Sequence, residues 1–401
     1  MKLRTNKVCF LTVSLAAMIV FIGRGLSDDD WKTRAATALK RGAAFLVKTQ
    51  NSDGSWGEHK HPAIAALAIM GIVNTGVDGA ENTINKGLSY ILKFQQPEGS
   101  IYPADVHREN MTKSAYYPNY STAVILLCLT AVDRKEYYPV MLRARRYLMS
   151  IQFRDPSTVD FGGIGYGKTQ RADLSNTAWA TEALYYSEFL EKEPYMKDPA
   201  AMKHVKEMWK GVDKFITQCQ NLPELNKAPY VSNHPDDLGG FYYRPTESKA
   251  GVREDPKDGV SNLVSSGSMT YAGLKTMLYA KIDRNDPRVK GAISYLKRHY
   301  TLDENPGMGK QGLLYYYLTM AKALTAYGAD TFVDARGGAH DWRKELAERL
   351  LSMQKPDGSW ANTNGRFFES DPTLATGYVQ MILKILTGKD DLTRHLEVSA
   401  P

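Results

Sequence analysis

Several carboxylates in this sequence stand where they could transfer a proton. Asp173 opens the phrase Asp-Leu-Ser-Asn-Thr-Ala at 173–178, ahead of an apolar stretch with helical periodicity, and Asp371 precedes the last such stretch. Both positions are also typical of a helix N-cap, which is a structural role. Asp236 and Asp237 are adjacent, so they could share one proton at a raised pKa, or lie solvated in a loop. Acid–base chemistry by a carboxyl group is therefore the first hypothesis for function.

Aromatic residues could complete a site of this kind, and the chain contains 24 Tyr. Protonation of an alkene gives a carbocation, which the faces of aromatic rings stabilise in a dry cavity. Arg244 follows an aromatic run and could clamp a phosphate or a carboxylate. The candidate catalytic residues are Asp173, Asp236 and Asp237. The candidate substrate-binding residues are Trp179, Tyr116, Tyr117, Tyr243, Arg244, Tyr271, Tyr316 and Asp371.

A repeated phrase shows which elements must position these residues. The phrase Gln-x-x-[Asp/Glu]-Gly-Ser-[Trp/Ile] occurs at 50–56, 95–101 and 354–360. Each copy follows a stretch of helical periodicity, so the Gln falls in the last turn and the Gly ends the helix. The final apolar residue can then fold back onto the helix. The repeating unit is therefore a helix, a stop and an apolar clasp.

Amphipathic and apolar stretches alternate along the rest of the chain, and no hairpin pattern competes with them. This alternation predicts an all-α fold, an α/α toroid of six helix pairs (about twelve helices) with an inner apolar ring and an outer amphipathic ring. An open solenoid of the same pairs is the alternative, and it would need polar caps at both ends. The predicted outer helices lie at 35–50, 83–95, 137–152, 201–220, 287–300 and 342–354, and the inner ones at 62–73, 121–132, 174–190, 267–282, 311–327 and 372–387.

The connections from outer to inner helices are mostly long and should emerge on one rim of the toroid, which makes that rim the candidate functional face. The longest connection, at 221–266, contains paired carboxylates and aromatic residues. A structureless insertion of this length is usually functional or disordered, and its composition argues against disorder. It is either a functional loop or an expanded version of the Gly-Ser-Trp clasp.

The N-terminal residues are typical of an export signal. Residues 1–26 have a basic start and an uncharged run at 8–23, which predicts a signal peptide or an N-terminal anchor. A single toroid domain is expected at 31–390, followed by a tail at 391–401. The formal charge of +7 includes four cations of the leader, and the remaining charge is too small to predict a nucleic-acid partner. The protein should be periplasmic or extracellular, with possible membrane association, and the oligomeric state is not predicted.

The repeated phrase resembles the QW motif of the terpene cyclase and protein prenyltransferase superfamily, which includes the squalene–hopene cyclases and the prenyltransferase and squalene oxidase repeat. The resemblance covers about residues 35–388 and implies an α/α toroid that cyclises an isoprenoid. In squalene cyclases the acid belongs to an Asp-x-Asp-Asp-Thr-Ala phrase. The phrase at 173–178 keeps the first Asp but has Ser175 at the position of the proton donor and Asn176 at the last acidic position.

Three functions remain open at this stage. The first is terpenoid (squalene) cyclase-like isomerisation by protonation, with an isoprenoid or other lipid in a central apolar cavity. The second is a lipid- or protein-binding toroid that has lost the acid. The third is an exported polysaccharide lyase or hydrolase, of which the hydrolase would need two carboxyl groups about 5 to 9.5 Å apart. No metal site and no cofactor is predicted, because Cys128 and Cys219 lack the sequence context of the superfamily's zinc ligands.

Overall fold

The computed structural model describes residues 30–104, 117–167, 171–192, 194–195, 199–254, 259 and 261–396, apart from the side chains of 199–202. The predicted leader at 1–26, the candidate site residue Tyr116 and residues 397–401 lie outside these ranges. Within the described part of the chain, no helix is both long enough and apolar enough to cross a membrane.

The described residues form twelve α-helices in two rings, as predicted. Each inner helix packs against the next, and α12 packs against α2, so the ring closes into an α/α toroid and is not an open solenoid. The outer helices are α1 (Asp30–Lys48), α3 (Ala80–Ile91), α5 (Tyr138–Ser150), α7 (Pro199–Gln218), α9 (Pro287–Arg298) and α11 (Trp342–Met353). The inner helices are α2 (Pro62–Ile72), α4 (Pro118–Val132), α6 (Leu174–Tyr186), α8 (Gly267–Tyr279), α10 (Leu313–Tyr327) and α12 (Pro372–Leu386).

In its first and last copies the repeated phrase fastens one outer helix to the next, through Gln50 to α3 and through Gln354 to α1, and we call this arrangement the clasp. In the last copy, Gln354 Nε2 donates hydrogen bonds to the carbonyl of Gly358 at 2.9 Å and to that of Ala38 in α1 at 3.0 Å. The Trp360 indole N–H donates to the carbonyl of Leu350 at 2.7 Å. Gly358 has a φ of 91°, and a Cβ there would lie 2.5 Å from the carbonyl oxygen of Arg41. Only glycine fits this close approach.

Two further clasps are present that the repeated phrase does not reveal. Gln152 Nε2 donates to the carbonyl of Gly162 at 2.8 Å, and Gln220 Nε2 donates to that of Gly239 at 2.9 Å. Long insertions separate each Gln from its Gly, so the first part of the 221–266 connection is an expanded clasp. The apolar residue that ends four of the clasps donates its backbone N–H to a threonine hydroxyl of the next inner helix, in the pairs Ile101–Thr122, Ile164–Thr177, Phe241–Thr270 and Trp360–Thr376.

The structure departs from the predicted fold in two small ways. Two short antiparallel hairpins are present, β1 (Val252–Glu254) with β2 (Ser261–Leu263) and β3 (Phe332–Val333) with β4 (Ala339–His340). They were missed because strands this short carry no measurable alternation. The packed body also continues past the predicted boundary at 390, since His395 stacks on Phe189 at a ring distance of 3.9 Å.

Side chains fill the axis of the toroid. The Trp179 ring of α6 lies 5.7 Å from Tyr120 of α4, 6.2 Å from Tyr315 of α10 and 6.3 Å from Tyr378 of α12. Helices α6 and α12 are not neighbours in the ring, so these side chains meet across the axis. We call these four residues the axial aromatic layer.

A buried ion cluster lies one turn further along α6. Glu182 forms ion pairs with Lys275 of α8 and Lys322 of α10, and all three side chains are buried. Side chains thus occupy the axis at two successive levels, where the sequence had suggested an apolar cavity. A ligand must therefore be sought nearer the rim.

Candidate functional site

A pocket of about 390 Å³ opens on the rim that carries the long connections, and we call it the mouth pocket. It is built from the segments that lead into α4, α6 and α8. Its volume lies within the usual range for small-molecule sites. The residues that line it are Tyr117, Tyr166, Arg171, Asp173, Tyr243, Arg244 and Lys249. Four of them, Tyr117, Asp173, Tyr243 and Arg244, are candidate residues from the sequence.

Asp173 is the N-cap of α6 and is 1% exposed. One carboxylate oxygen accepts a hydrogen bond from the backbone N–H of Asn176 at 2.8 Å, and the other accepts one from the Asn176 side-chain amide at 2.8 Å. The hydroxyl of Ser175 lies 3.3 Å from that of Tyr315 in the axial aromatic layer. Asn176 thus supports Asp173, and Ser175 contacts the aromatic layer below it.

Burial raises the pKa of Asp173 to about 6, although hydrogen bonds from Asn176 and Tyr243 and the charge of Arg244 act in the opposite direction. A carboxyl group with this pKa exchanges its proton near neutral pH, which suits a general acid or base. A perturbed pKa in a pocket also marks a candidate functional group, although structural carboxylates can be perturbed in the same way.

Three tyrosines line the same pocket as Asp173. The Tyr243 phenol interacts with Asp173 and with Tyr166 and lowers the pKa of the Asp173 carboxyl group. The rings of Tyr117 and Tyr166 lie 4.9 Å apart. Burial raises the pKa of Tyr166 and Tyr243 well above the usual range, so both phenols remain protonated hydrogen-bond donors. Tyr117 has a φ of 35°, in the left-handed region that residues other than glycine rarely adopt.

Three cations form one side of the pocket, and we call Arg171, Arg244 and Lys249 the cationic wall. Glu247 pairs with both Arg244 and Lys249, and Asp160 lies 3.3 Å from Arg171. The Lys249 ammonium lies 4.6 Å from the centre of the Tyr243 ring, a cation–π contact.

Asp236 and Asp237 lie outside the mouth pocket and have different partners. The Asp237 carboxylate is buried and accepts hydrogen bonds from Ser232 Oγ at 2.9 Å, Arg253 Nε at 3.1 Å and the Ser265 backbone N–H at 3.1 Å. Asp236 is exposed, with its carboxylate 3.6 Å from His234. The geometry therefore gives no support to a proton shared between these two carboxyl groups, and Asp237 holds the long connection together.

The remaining candidates also lie away from the pocket. Asp371 caps α12 by accepting hydrogen bonds from the backbone N–H groups of Thr373 at 2.7 Å and Leu374 at 3.1 Å. Tyr271 packs on Tyr316 at a ring distance of 5.6 Å, and the Tyr316 hydroxyl donates to the carbonyl of Thr301, which directs both rings into the body rather than the pocket. Trp179 belongs to the axial aromatic layer.

Sequence reasoning missed Tyr166, Arg171 and Lys249. Arg171 stands two positions before Asp173, and Lys249 follows Arg244 by five positions, so both were within reach of the candidates already chosen. The sequence could not predict that Arg171 contacts the turn that precedes Lys249, because Arg171 donates hydrogen bonds to Pro245 and Thr246, more than 70 residues away.

Across the ranges given above, no group of three or more His, Cys, Asp or Glu side chains is placed to hold a metal ion. Cys128 and Cys219 are free, buried thiols. Burial raises the pKa of both thiols, which makes them unreactive.

About nine tenths of the chain resembles solved α/α toroids. A search against protein families gives no match. A type II terpene cyclase from Scytonema, solved with its product merosterolic acid A, is similar over 90% of this chain and 99% of its own, with 12% identity and a TM-score of 0.51. A family 76 glycoside hydrolase (mannosidase) from Bacteroides thetaiotaomicron is similar over 90% of this chain and 100% of its own, with 10% identity and a TM-score of 0.53. At this identity the likeness shows the fold alone, which is the α/α toroid that both of these enzymes share.

Proposed function

We propose that this protein is a terpenoid cyclase-like isomerase that acts in the mouth pocket, with Asp173 as the acid that protonates an isoprenoid. One observation carries the proposal. A single buried carboxyl group, whose pKa burial raises to about 6, lines a pocket together with three tyrosines. Protonation needs an acid that exchanges its proton near neutral pH, and ring faces that stabilise the resulting cation.

In this reaction the proton of Asp173 forms a new C–H bond with one alkene carbon, and the other carbon becomes cationic. A second double bond of the substrate attacks that cation and closes a ring. The reaction ends when the product cation returns a proton to the Asp173 carboxylate, which restores the acid. The rings of Tyr117 and Tyr166 supply faces beside the cation.

The filled axis limits the substrate. Because Trp179 and its three ring partners occupy the axis below the pocket, the substrate is confined to the mouth. We therefore expect an isoprenoid shorter than squalene.

A second candidate function is that of a lyase on an acidic polysaccharide, which the cationic wall favours. Arg171, Arg244 and Lys249 could neutralise a uronate carboxylate, and Asp173 could remove the adjacent proton as a base. Among the described residues that line the pocket, Asp173 is the one carboxyl group, so a hydrolase with two carboxyl groups is less well supported.

The test compares two carboxylates that cap inner helices, one that lines the mouth pocket and one that lies outside it. Wild type, Asp173→Asn and Asp371→Asn are each expressed in a host that makes linear isoprenoids, and lipids are profiled by mass spectrometry. Purified proteins are also incubated with polygalacturonate and assayed for unsaturated products. Asp371→Asn controls for the loss of an anionic cap, because Asp371 caps an inner helix and lies outside the mouth pocket.

We expect a cyclised isoprenoid with wild type and Asp371→Asn, and none with Asp173→Asn. Unsaturated saccharide products with the same pattern would replace the isomerase with the lyase. If neither product forms while intact lipid co-purifies with all three proteins, the toroid binds without chemistry. The satisfied oxygens of Asp173 would fit that outcome.

The proposal includes export, with residues 1–26 as a signal peptide or as an anchor that holds the protein at a membrane. N-terminal sequencing of the secreted or membrane-bound protein tests this. A mature protein that begins near residue 26 indicates cleavage, and an intact N-terminus in the membrane fraction indicates an anchor.

A further inference from the structure

We infer that the cationic wall is a recognition site for an anionic group of the substrate, a carboxylate or a phosphate. This inference rests on the proposed function, because it places the anion in the same pocket as Asp173. The protonation step itself needs no anion, so the inference adds a substrate class to the reaction.

The wall is built on a tight turn that precedes α8. Arg244 and Glu247 exchange two backbone hydrogen bonds, at 3.1 and 3.0 Å, with Pro245 and Thr246 between them. Arg171, from the segment before α6, donates hydrogen bonds to the Thr246 hydroxyl at 3.2 Å and to the Pro245 carbonyl at 3.4 Å. Two separate connections are therefore joined at this wall, and three cationic side chains are brought together.

The turn holds a strained residue. Thr246 has a φ of 74°, a left-handed conformation that β-branched residues rarely adopt. Glycine would fill this position without strain, but it could not offer the hydroxyl that Arg171 contacts. Strain of this kind persists where the surrounding contacts determine it, and it is common at ligand sites.

Among the charged side chains that line the pocket, cations outnumber carboxylates. The three cations line the pocket, whereas Glu247 and Asp160, which pair with them, are not among its lining residues. The Nε atom of Arg244 is also buried without a hydrogen-bond partner. A buried donor without a partner carries a desolvation cost, which a ligand oxygen could remove. These features favour an anion on this side, with the reacting part of the substrate near Asp173.

Two sources could supply the anion, a prenyl diphosphate or an acidic sugar. The experiment therefore titrates purified full-length protein by calorimetry with three probes, sodium sulfate, farnesyl diphosphate and D-galacturonate. The variants are Arg244→Gln, Arg244→Lys, Lys249→Gln and Asp173→Asn. The matched control is Lys60→Gln, which removes a cation that is paired with Asp53 and lies outside the mouth pocket.

We expect wild type and Lys60→Gln to bind at least one probe alike, and Arg244→Gln and Lys249→Gln to bind it about tenfold more weakly. Arg244→Lys should recover part of the affinity, which a folding defect would not allow. A preference for farnesyl diphosphate identifies the prenyl source, and one for galacturonate identifies the sugar. The inference is overturned if wild type binds no probe, or if Lys60→Gln weakens binding as much as the wall variants do.

Asp173→Asn separates this inference from the proposed function. It should bind the anion at least as tightly as wild type, because it removes a negative charge from the pocket. If the anion binds but Asp173→Asn does not alter turnover, the recognition site stands and the acid assignment fails. If Asp173→Asn abolishes turnover while no probe binds, the acid assignment stands and the recognition site fails.

Discussion

Two roles compete at the carboxyl group of Asp173. As an N-cap it accepts hydrogen bonds from Asn176, which favour the ionised form. As a buried group in a pocket it is driven toward the neutral form, and burial is the larger effect, so its pKa rises to about 6. The same carboxyl group therefore stabilises the helix and is held at a pKa that suits proton transfer.

The raised pKa of Asp173 predicts a dependence of stability on pH. The folded pKa of about 6 lies above the reference value of 3.8, so the folded protein binds the proton more tightly than the unfolded chain does. The resulting stabilisation is fully present below pH 3.8 and is lost as pH rises through 6. Its full size is about 3 kcal/mol at 1.36 kcal/mol per pKa unit.

Asp173→Asn has no titrating group and keeps a capping side chain. The difference in the free energy of unfolding between wild type and this variant, from urea denaturation at pH 7 and pH 4, should shift in favour of wild type at the lower pH. Other titrating groups cancel in this comparison. A difference that does not change with pH would show that Asp173 is not perturbed.

Tyr243→Phe tests the influence of the phenol on the pKa of Asp173. The Tyr243 hydroxyl is one of the groups that lower the pKa of Asp173, so its removal should raise that pKa further above about 6. Carboxyl carbon NMR of the protein labelled at Asp measures this directly. Tyr185→Phe is the control, because Tyr185 stacks on Tyr279 at a ring distance of 4.3 Å and does not line the pocket. An unchanged pKa in Tyr243→Phe would contradict the predicted contact.

The clasp is the element that repeats around the ring. Its Gln spans two outer helices, and its Gly allows the turn to approach the backbone of the next helix. The sequence reveals three copies because the spacing between Gln and Gly is the same in each. The same hydrogen bonds recur for Gln152 and Gln220 with other spacings, so the geometry is more general than the sequence phrase.

Substitution of the clasp glycine should destabilise the ring. Gly358→Ala places a Cβ 2.5 Å from the Arg41 carbonyl oxygen at a φ of 91°. Gly76 has a φ of 66° with no atom within 4 Å of its Cβ position, so Gly76→Ala adds backbone strain without a clash. We expect losses in the free energy of unfolding of about 1 kcal/mol for Gly76→Ala and about 3 kcal/mol for Gly358→Ala, measured by urea denaturation. Equal losses would mean that the clasp tolerates a Cβ.

Periodicity was enough to predict the helices and their two rings. The predicted stretch at 372–387 and the observed helix Pro372–Leu386 differ by one residue at the C-terminal end. The predicted stretch at 174–190 continues past Tyr186, because the chain then tightens into a 3₁₀ turn at Glu188–Glu191. Periodicity carries no information on contacts between connections, so the joining of Arg171 to the turn at 244–247 could not be predicted.

The side chains that fill the axis distinguish this protein from a toroid with an open central cavity. Trp179 and its ring partners separate the mouth pocket from the buried cluster of Glu182, Lys275 and Lys322. Although burial alone would raise the pKa of Glu182, the two lysines hold it below its usual range. Burial lowers the pKa of Lys275 to about 8. The cluster ties α6, α8 and α10 together at the centre of the molecule.

The ion cluster should have a large effect on stability when one partner is removed. Glu182→Gln leaves two buried lysines without their carboxylate, and breaking a buried ion pair in this way typically costs about 3 to 5 kcal/mol. The loss should be smaller at pH 9 than at pH 7, because Lys275, with a pKa already near 8 and now without its anionic partner, can shed its proton. Urea denaturation at both pH values measures the change.

A triple variant, Glu182→Leu with Lys275→Met and Lys322→Met, measures the net contribution of the cluster to the free energy of unfolding without leaving any charge unpaired. Apolar replacement of a complete buried cluster is often neutral or stabilising, so this variant should be at least as stable as wild type. If it also retains the mouth-pocket activity, the axial charges serve the fold alone. If it folds stably and loses that activity, the cluster must act on the pocket through Trp179, which lies 5.2 Å from the Lys322 ammonium.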